Sequence, residues 1–103
     1  MANDVKISDH AKEQYKIRCS GKYHFRKLVS ICNNMRKGLR SIARVNHYRN
    51  TYSARCCYFD YKENLVFVFS DTMKRLLTVR NDLDHFNIVN GEKKIKSKHL
   101  FLD

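Results

Sequence analysis

The sequence predicts an α+β fold, with two N-terminal helices packed on one face of a three- to five-stranded antiparallel sheet. Three observations predict it. Apolar residues recur every three or four positions as far as Leu39, which is the period of an amphipathic helix. Past Ile42 the period changes, and short segments rich in aromatic and β-branched residues follow one another. The connections between those segments are brief, so neighbouring strands should pair antiparallel. A chain of 103 residues suits one domain, residues 1–103, and no linker, repeat or low-complexity tract divides it.

The elements follow in order. Val5 and Ile7 alternate with polar residues, as a brief strand or an extended arm would. Ser8 reads as a helix N-cap, with Asp9 favourable in the first turn. The first helix, with its cap, takes residues 8–20, and Gly21 suits the left-handed position that ends a helix. At 100° per residue it carries two adjacent inward stripes. Ala11, Tyr15 and Cys19 make an apolar one, and His10, Gln14 and Arg18 make a polar one at the edge of the packed face.

The second helix is predicted over residues 23–38. Phe25, Leu28, Cys32, Met35 and Leu39 form its apolar stripe, widened by Val29 and Ile31. The opposite face holds Arg26, Ser30, Asn33, Lys37 and Arg40, and Gly38 weakens the end. The antiparallel sheet is predicted over residues 43–80, with strands at 43–48, 52–61, 65–70 and 75–80. The run Leu65–Phe69 is continuously apolar, which marks a central strand. Residues 84–103 read as a C-terminal hairpin turning at Asn90-Gly91, or as a basic arm.

Net charge is +11, and it is unevenly spread. From Gln14 to Phe59 there is no Asp or Glu, while Arg26, Lys37, Arg40, Arg44, Arg49 and Arg55 all fall inside. A polyanionic partner is the direct reading of such a segment: RNA, another polyanion or an acidic protein. Arg26, Lys37, Arg40, Arg44, Arg49 and Arg55, with Gln14 from the first helix, are the expected nucleic-acid contacts. Tyr48, Tyr52, Tyr58 and Tyr61 are interleaved with basic residues and suit base stacking, although most of them must also build the sheet. No apolar segment reaches membrane-spanning length, and no secretory h-region opens the chain. The expectation is a cytoplasmic protein with free thiols and no membrane partner. The cysteines and histidines show no zinc-ligand spacing, so no metal or other cofactor is expected.

Phosphate-cradling, dinucleotide, zinc-protease and nucleophile-elbow motifs are absent from the chain. Acids are too sparse in the first half to build a multi-carboxylate Mg²⁺ site there. A metal-free ribonuclease needs less. RNA brings its own 2′-OH nucleophile, and the protein supplies a base, a cation for the phosphoryl oxygens and an acid for the leaving oxygen. His10 is the candidate base. Arg18, two turns on, either holds a phosphate bidentately or pairs with an acid such as Asp82 or Asp84.

The stretch Ile7–Arg18, ISDHAKEQYKIR, resembles the opening of small RelE-like proteins related to BrnT toxins, whose motif has the form S-x-H-A-x-x-R-x-x-x-R. Ser8, His10, Ala11 and Arg18 match. Gln14 stands where the family usually has its first Arg, and Cys19 replaces a small residue. The order of elements and the Thr78-Val79 pair in the last strand also match. The resemblance covers roughly residues 5–80. It implies the RelE/barnase-like ribonuclease fold, and a metal-independent endoribonuclease of the toxin type. It places His10 and Arg18 at the site with Thr78 or Arg80 from the sheet, and it brings an acidic antitoxin as a partner. Two alternatives stand beside it. One is a non-catalytic basic module that binds nucleic acid through the second helix and the Arg44–Arg55 region. The other is a mobile-element (phage-type) protein that binds and inhibits an acidic host protein.

Overall fold

The computed structural model of the chain describes residues 3–52 and 54–89. The fold is α+β. Strand β1 (Lys6–Ile7) leads into helices α1 (Asp9–Arg18) and α2 (Phe25–Arg36). Strands β2 (Ile42–His47), β3 (Cys56–Asp60), β4 (Leu65–Phe69), β5 (Arg75–Arg80) and β6 (Phe86–Ile88) follow, with a 3-10 turn at Leu83–His85 before the last. The expected hairpin or arm beyond Val89 lies outside the described residues.

Two expectations about the sheet need correction. Among the described residues it has six strands, in the order β1-β5-β4-β3-β2-β6, and it is mixed rather than wholly antiparallel. The extra edge strands explain both points. The Val5–Ile7 arm is drawn in beside β5 and pairs parallel to it, with Lys6 N–H donating to Lys74 O at 2.9 Å and Ser8 N–H to Leu76 O at 3.1 Å. The segment after β5 crosses the back of the sheet, and β6 pairs antiparallel with β2.

Strand β4 is central, and its alternate residues separate two cores. Leu65, Phe67 and Phe69 face the helices, where Ala11, Tyr15, Leu28, Ile31, Cys32 and Met35 pack against them with Leu76 and Val79. Val66 and Val68 face the other way, into a second core with Val45, Cys57, Phe59 and Phe86. Tyr52, Tyr61, Leu83 and Ile88 close that second core. Both faces of the sheet are therefore covered, one by helices and the other by loops, and this accounts for the unbroken apolar run of β4.

The helix ends differ from expectation in ways that matter for charge placement. Helix α1 ends at Arg18, and Cys19 is already extended, so Gly21, at φ 82°, turns the connecting loop rather than capping the helix. Helix α2 ends at Arg36, capped by Lys37, with Gly38 in the left-handed region, at φ 75°. Gly38 N–H donates to Met35 O at 3.1 Å and Leu39 N–H to Asn34 O at 2.9 Å, the paired bonds of a Schellman cap. The chain therefore leaves the helix before Leu39 and Arg40. Leu39 stands exposed instead of extending the apolar stripe, and Arg40 leaves the basic face. Strand β3 begins at Cys56 rather than Tyr52, because Tyr52 lies against Phe86 in the second core, ring centroids 6.4 Å apart and nearly parallel.

Candidate functional site

The candidate site lies where α1 crosses β5. Three hydrogen bonds fix the start of that helix. The Ser8 hydroxyl accepts from Ala11 N–H at 3.0 Å, as an N-cap does, and donates to Leu77 O at 3.1 Å. The Ser8 backbone donates to Leu76 O. Leu77 is the extra residue of a bulge: Val68 pairs with Thr78 and Phe69 with Leu76, which leaves Leu77 unpaired. At the far end of the helix Arg18 Nη1 donates to Val79 O at 2.6 Å. One serine and one arginine thus hold α1 along β5 from both ends.

Between them opens a cleft of about 500 Å³ lined by His10, Gln14, Arg18, Tyr52, Leu77, Thr78 and Arg80. All three members of the polar stripe on α1 reach it, and so do both candidate residues from the sheet. His10 is exposed, Gln14 and Arg18 are half-buried, and Thr78 is buried at the floor. Arg18 takes neither of the acidic partners considered for it. Asp82 pairs with Arg80 instead, whose Nη2 donates to Asp82 Oδ2 and whose Nη1 donates to the Tyr52 hydroxyl. The Arg80 guanidinium also lies over the Tyr52 and Phe86 rings, at 5.8 and 6.0 Å from their centroids. That arrangement holds the cation rigid and leaves three of its five N–H donors for other use.

The expected nucleic-acid contacts divide. Gln14 lies in the cleft. Arg55 lines an adjoining hollow that shares Tyr52 and Leu77 with it. Arg49 is exposed on the β2–β3 loop and lies 5.1 Å from the Tyr48 ring. Arg26 and Lys37 are exposed on α2, and Arg44 is exposed on β2 beside the Tyr58 ring at 5.8 Å. None of these three lines the cleft.

Arg40 is a correction. Its Nε and Nη2 donate to the two carboxylate oxygens of Asp60, at 2.6 and 2.7 Å, and Asp60 has no exposed surface. Asp60 also accepts from Glu63 N–H at 2.8 Å. The hydrogen bond to Asp60 raises the Arg40 guanidinium above its ordinary value. Arg40 therefore supports the β3–β4 turn through Asp60 instead of standing on the basic face of α2.

Behind Arg80 sits a cluster that residue spacing did not reveal. His85 Nδ1 lies 2.9 Å from Asp82 Oδ2, the oxygen that also takes Arg80. His47 is buried at the end of β2, with its ring 6.0 Å from His85 and 5.7 Å from Tyr52, and its Nδ1 accepts from Arg49 N–H at 3.1 Å. Burial, and then the nearby Arg80 charge, push the His47 imidazole below its ordinary value of 6.5. The only signal for this group in the sequence is that Arg80, Asp82 and His85 fall within six positions. His47 is a strand residue on the far side of the sheet order.

Nothing in the thiols suggests nucleophilic chemistry. All four cysteines are free, and burial pushes the Cys57 thiol up to about 11 and raises that of Cys32 as well. Among the described residues no group of three or more His, Cys, Asp or Glu is placed to hold a metal ion. Among them, too, no helix is long and apolar enough to cross a membrane. No protein-family model, curated protein or solved structure matches the chain.

Proposed function

We propose that this protein binds RNA and cleaves it without a metal, as a toxin-type endoribonuclease, in the cleft between α1 and β5. One observation carries the reading: a single cleft gathers His10, Gln14, Arg18, Thr78 and Arg80 from two elements that other bonds hold rigidly together. The resemblance of Ile7–Arg18 to RelE-like toxins supports the same assignment.

The chemistry asks for few groups. His10 accepts the proton of the RNA 2′-OH. The freed oxygen bonds to the adjacent phosphorus, and the bond from phosphorus to the 5′-oxygen breaks. The leaving 5′-oxygen takes up a proton, for which the Tyr52 hydroxyl at the cleft wall is the candidate donor. The products are a 2′,3′-cyclic phosphate and a 5′-hydroxyl. Arg18 and Arg80 offer N–H donors to the phosphoryl oxygens as negative charge builds there, the kind of fixed electrostatic assistance that contributes most to catalysis. Thr78 adds a hydroxyl at the floor.

The test is incubation of purified protein with single-stranded RNA in EDTA. The wild type is expected to cut it, and His10→Ala to lose roughly a hundredfold or more in rate with an unchanged thermal midpoint. Cleavage that survives the substitution removes His10 from the mechanism.

A second reading is favoured by a specific observation. Gln14, an uncharged residue, occupies the middle of the polar stripe, and Asp82 already neutralises Arg80. A cleft with one unpaired cation suits binding better than turnover. A non-catalytic RNA-binding module would retain RNA in a salt-dependent manner and give no product in the same assay.

A further inference from the structure

Tyr48 is the most exposed tyrosine or phenylalanine among the described residues, at 50%. It stands at the start of the β2–β3 loop, and its surroundings fix it. Its backbone N–H donates to His85 O at 2.8 Å. Its ring lies 5.1 Å from the His85 ring and 4.9 Å from the His47 ring, with the Arg49 guanidinium 5.1 Å from its centroid. His85 is itself held by Asp82 and remains 43% exposed at its side chain. The result is a pair of solvent-facing rings, with a cation over that of Tyr48, anchored on a buried imidazole.

Such a surface has a recognisable chemistry. A planar, electron-poor nucleobase stacks on aromatic faces, and an adjacent guanidinium attracts the phosphate that follows it. The carboxylate that His85 contacts, Asp82, is also taken by Arg80. Arg80 in turn lines the cleft. The rings therefore stand one ion pair away from the place where a phosphate would sit, on the same side of the molecule as Tyr52.

We propose that Tyr48 and His85 form a stacking subsite for one unpaired RNA base, adjacent to the phosphate bound in the α1–β5 cleft. This rests on the RNA reading above and narrows it to single-stranded RNA, since a base within a duplex must first be unpaired and unstacked to reach the rings. Arg49 holds the neighbouring phosphate. His47 lies beneath the subsite: it is buried, packs against Tyr48, His85, Tyr52 and Phe86, and would not meet the base.

The chain contains no tryptophan, so Tyr48→Trp places one reporter on the subsite. The ligands are a short single-stranded RNA carrying 2′-O-methyl groups, which cannot be cut by attack of the 2′-oxygen, its duplex form, and inorganic polyphosphate. The expected result is quenching of Trp fluorescence by the single strand and none by polyphosphate. Tyr48→Ala should weaken binding of the single strand roughly 5- to 150-fold while Tyr48→Phe keeps most of it. Polyphosphate affinity should be the same for all variants. Unchanged single-strand binding by Tyr48→Ala, or equal quenching by polyphosphate, overturns the subsite while leaving RNA binding in place. If the wild type binds no RNA even at low salt, the RNA reading fails and the subsite fails with it.

Discussion

Asp60 has no exposed surface, and both of its oxygens are occupied by one arginine. A buried carboxylate loses most of its hydration, and only a partner with matching geometry offsets that loss. Arg40→Ala removes the partner and leaves the charge behind. The expected cost is about 3–5 kcal/mol, a large part of the stability of a domain this size. Arg40→Met combined with Asp60→Asn should recover much of it, as urea denaturation would show. Arg26→Ala, on the exposed face of α2, should leave the urea midpoint unchanged. The two arginines look alike in the sequence because a helical period projects both onto one face. What separates them is the Gly38 cap and an acid twenty positions further on, and neither is visible in a wheel.

His47 makes a second prediction at the same scale. Its imidazole is held below 6.5 by burial first and by Arg80 next, with Asp82, His85 and Arg49 also facing it. Above 6.5 the ring is neutral in folded and unfolded chains alike, and it contributes nothing to pH dependence. Below 6.5 the unfolded chain takes up a proton that the folded chain resists, so stability falls as pH drops. Urea midpoints measured at about pH 7 and about pH 5.5 should differ less in His47→Phe than in the wild type. An equal drop in both would place the acid sensitivity elsewhere.

Among the elements, α1 and β5 matter most, because the cleft is the space between them. Ser8 serves both: it caps the helix and ties that cap to the bulge carbonyl of Leu77. Ser8→Ala should cost about 1–2 kcal/mol in urea denaturation. It should also lower cleavage beyond any loss of folded protein, since His10 follows the cap by two residues. Much of this arrangement was legible. The cap, both stripes of α1, the α2 core stripe over Leu28–Met35 and the bounds of β5 all follow from local periodicity and capping chemistry. The cleft itself follows from the polar stripe lying beside the apolar one. The two edge strands were legible only in part: Val5 and Ile7 read as a brief strand or arm and residues 84–89 as one side of a hairpin, but their partners, β5 and β2, are chosen by tertiary geometry. Tyr52 was misplaced for a related reason. An aromatic residue four positions before a strand reads as part of that strand, whereas here it stacks on Phe86 across the second core and reaches the cleft from the other side.

The whole molecule is defined by a net charge of +11 with an acid-free stretch from Gln14 to Phe59. Self-repulsion of that size works against a compact state, and a polyanion relieves it. Binding to single-stranded RNA should therefore weaken steeply with salt. The slope of log affinity against log salt should fall in magnitude by about 0.7 for each phosphate contact removed. Arg55→Ala, in the hollow adjoining the cleft, and Arg49→Ala, at Tyr48, are expected to flatten it, and Arg26→Ala and Lys37→Ala to do so only if the RNA extends onto α2. Charge asymmetry was plain in the sequence, but the direction of the binding track was not, because it depends on which cations the fold leaves exposed near the cleft. Metal-free cleavage by attack of the 2′-OH, as proposed, is tested most directly by the chemistry of the product ends. Mass spectrometry of a short RNA incubated in EDTA should show 2′,3′-cyclic phosphate and 5′-hydroxyl termini with the wild type, and intact RNA with His10→Ala. Intact RNA with the wild type, or 5′-phosphate termini, would contradict it.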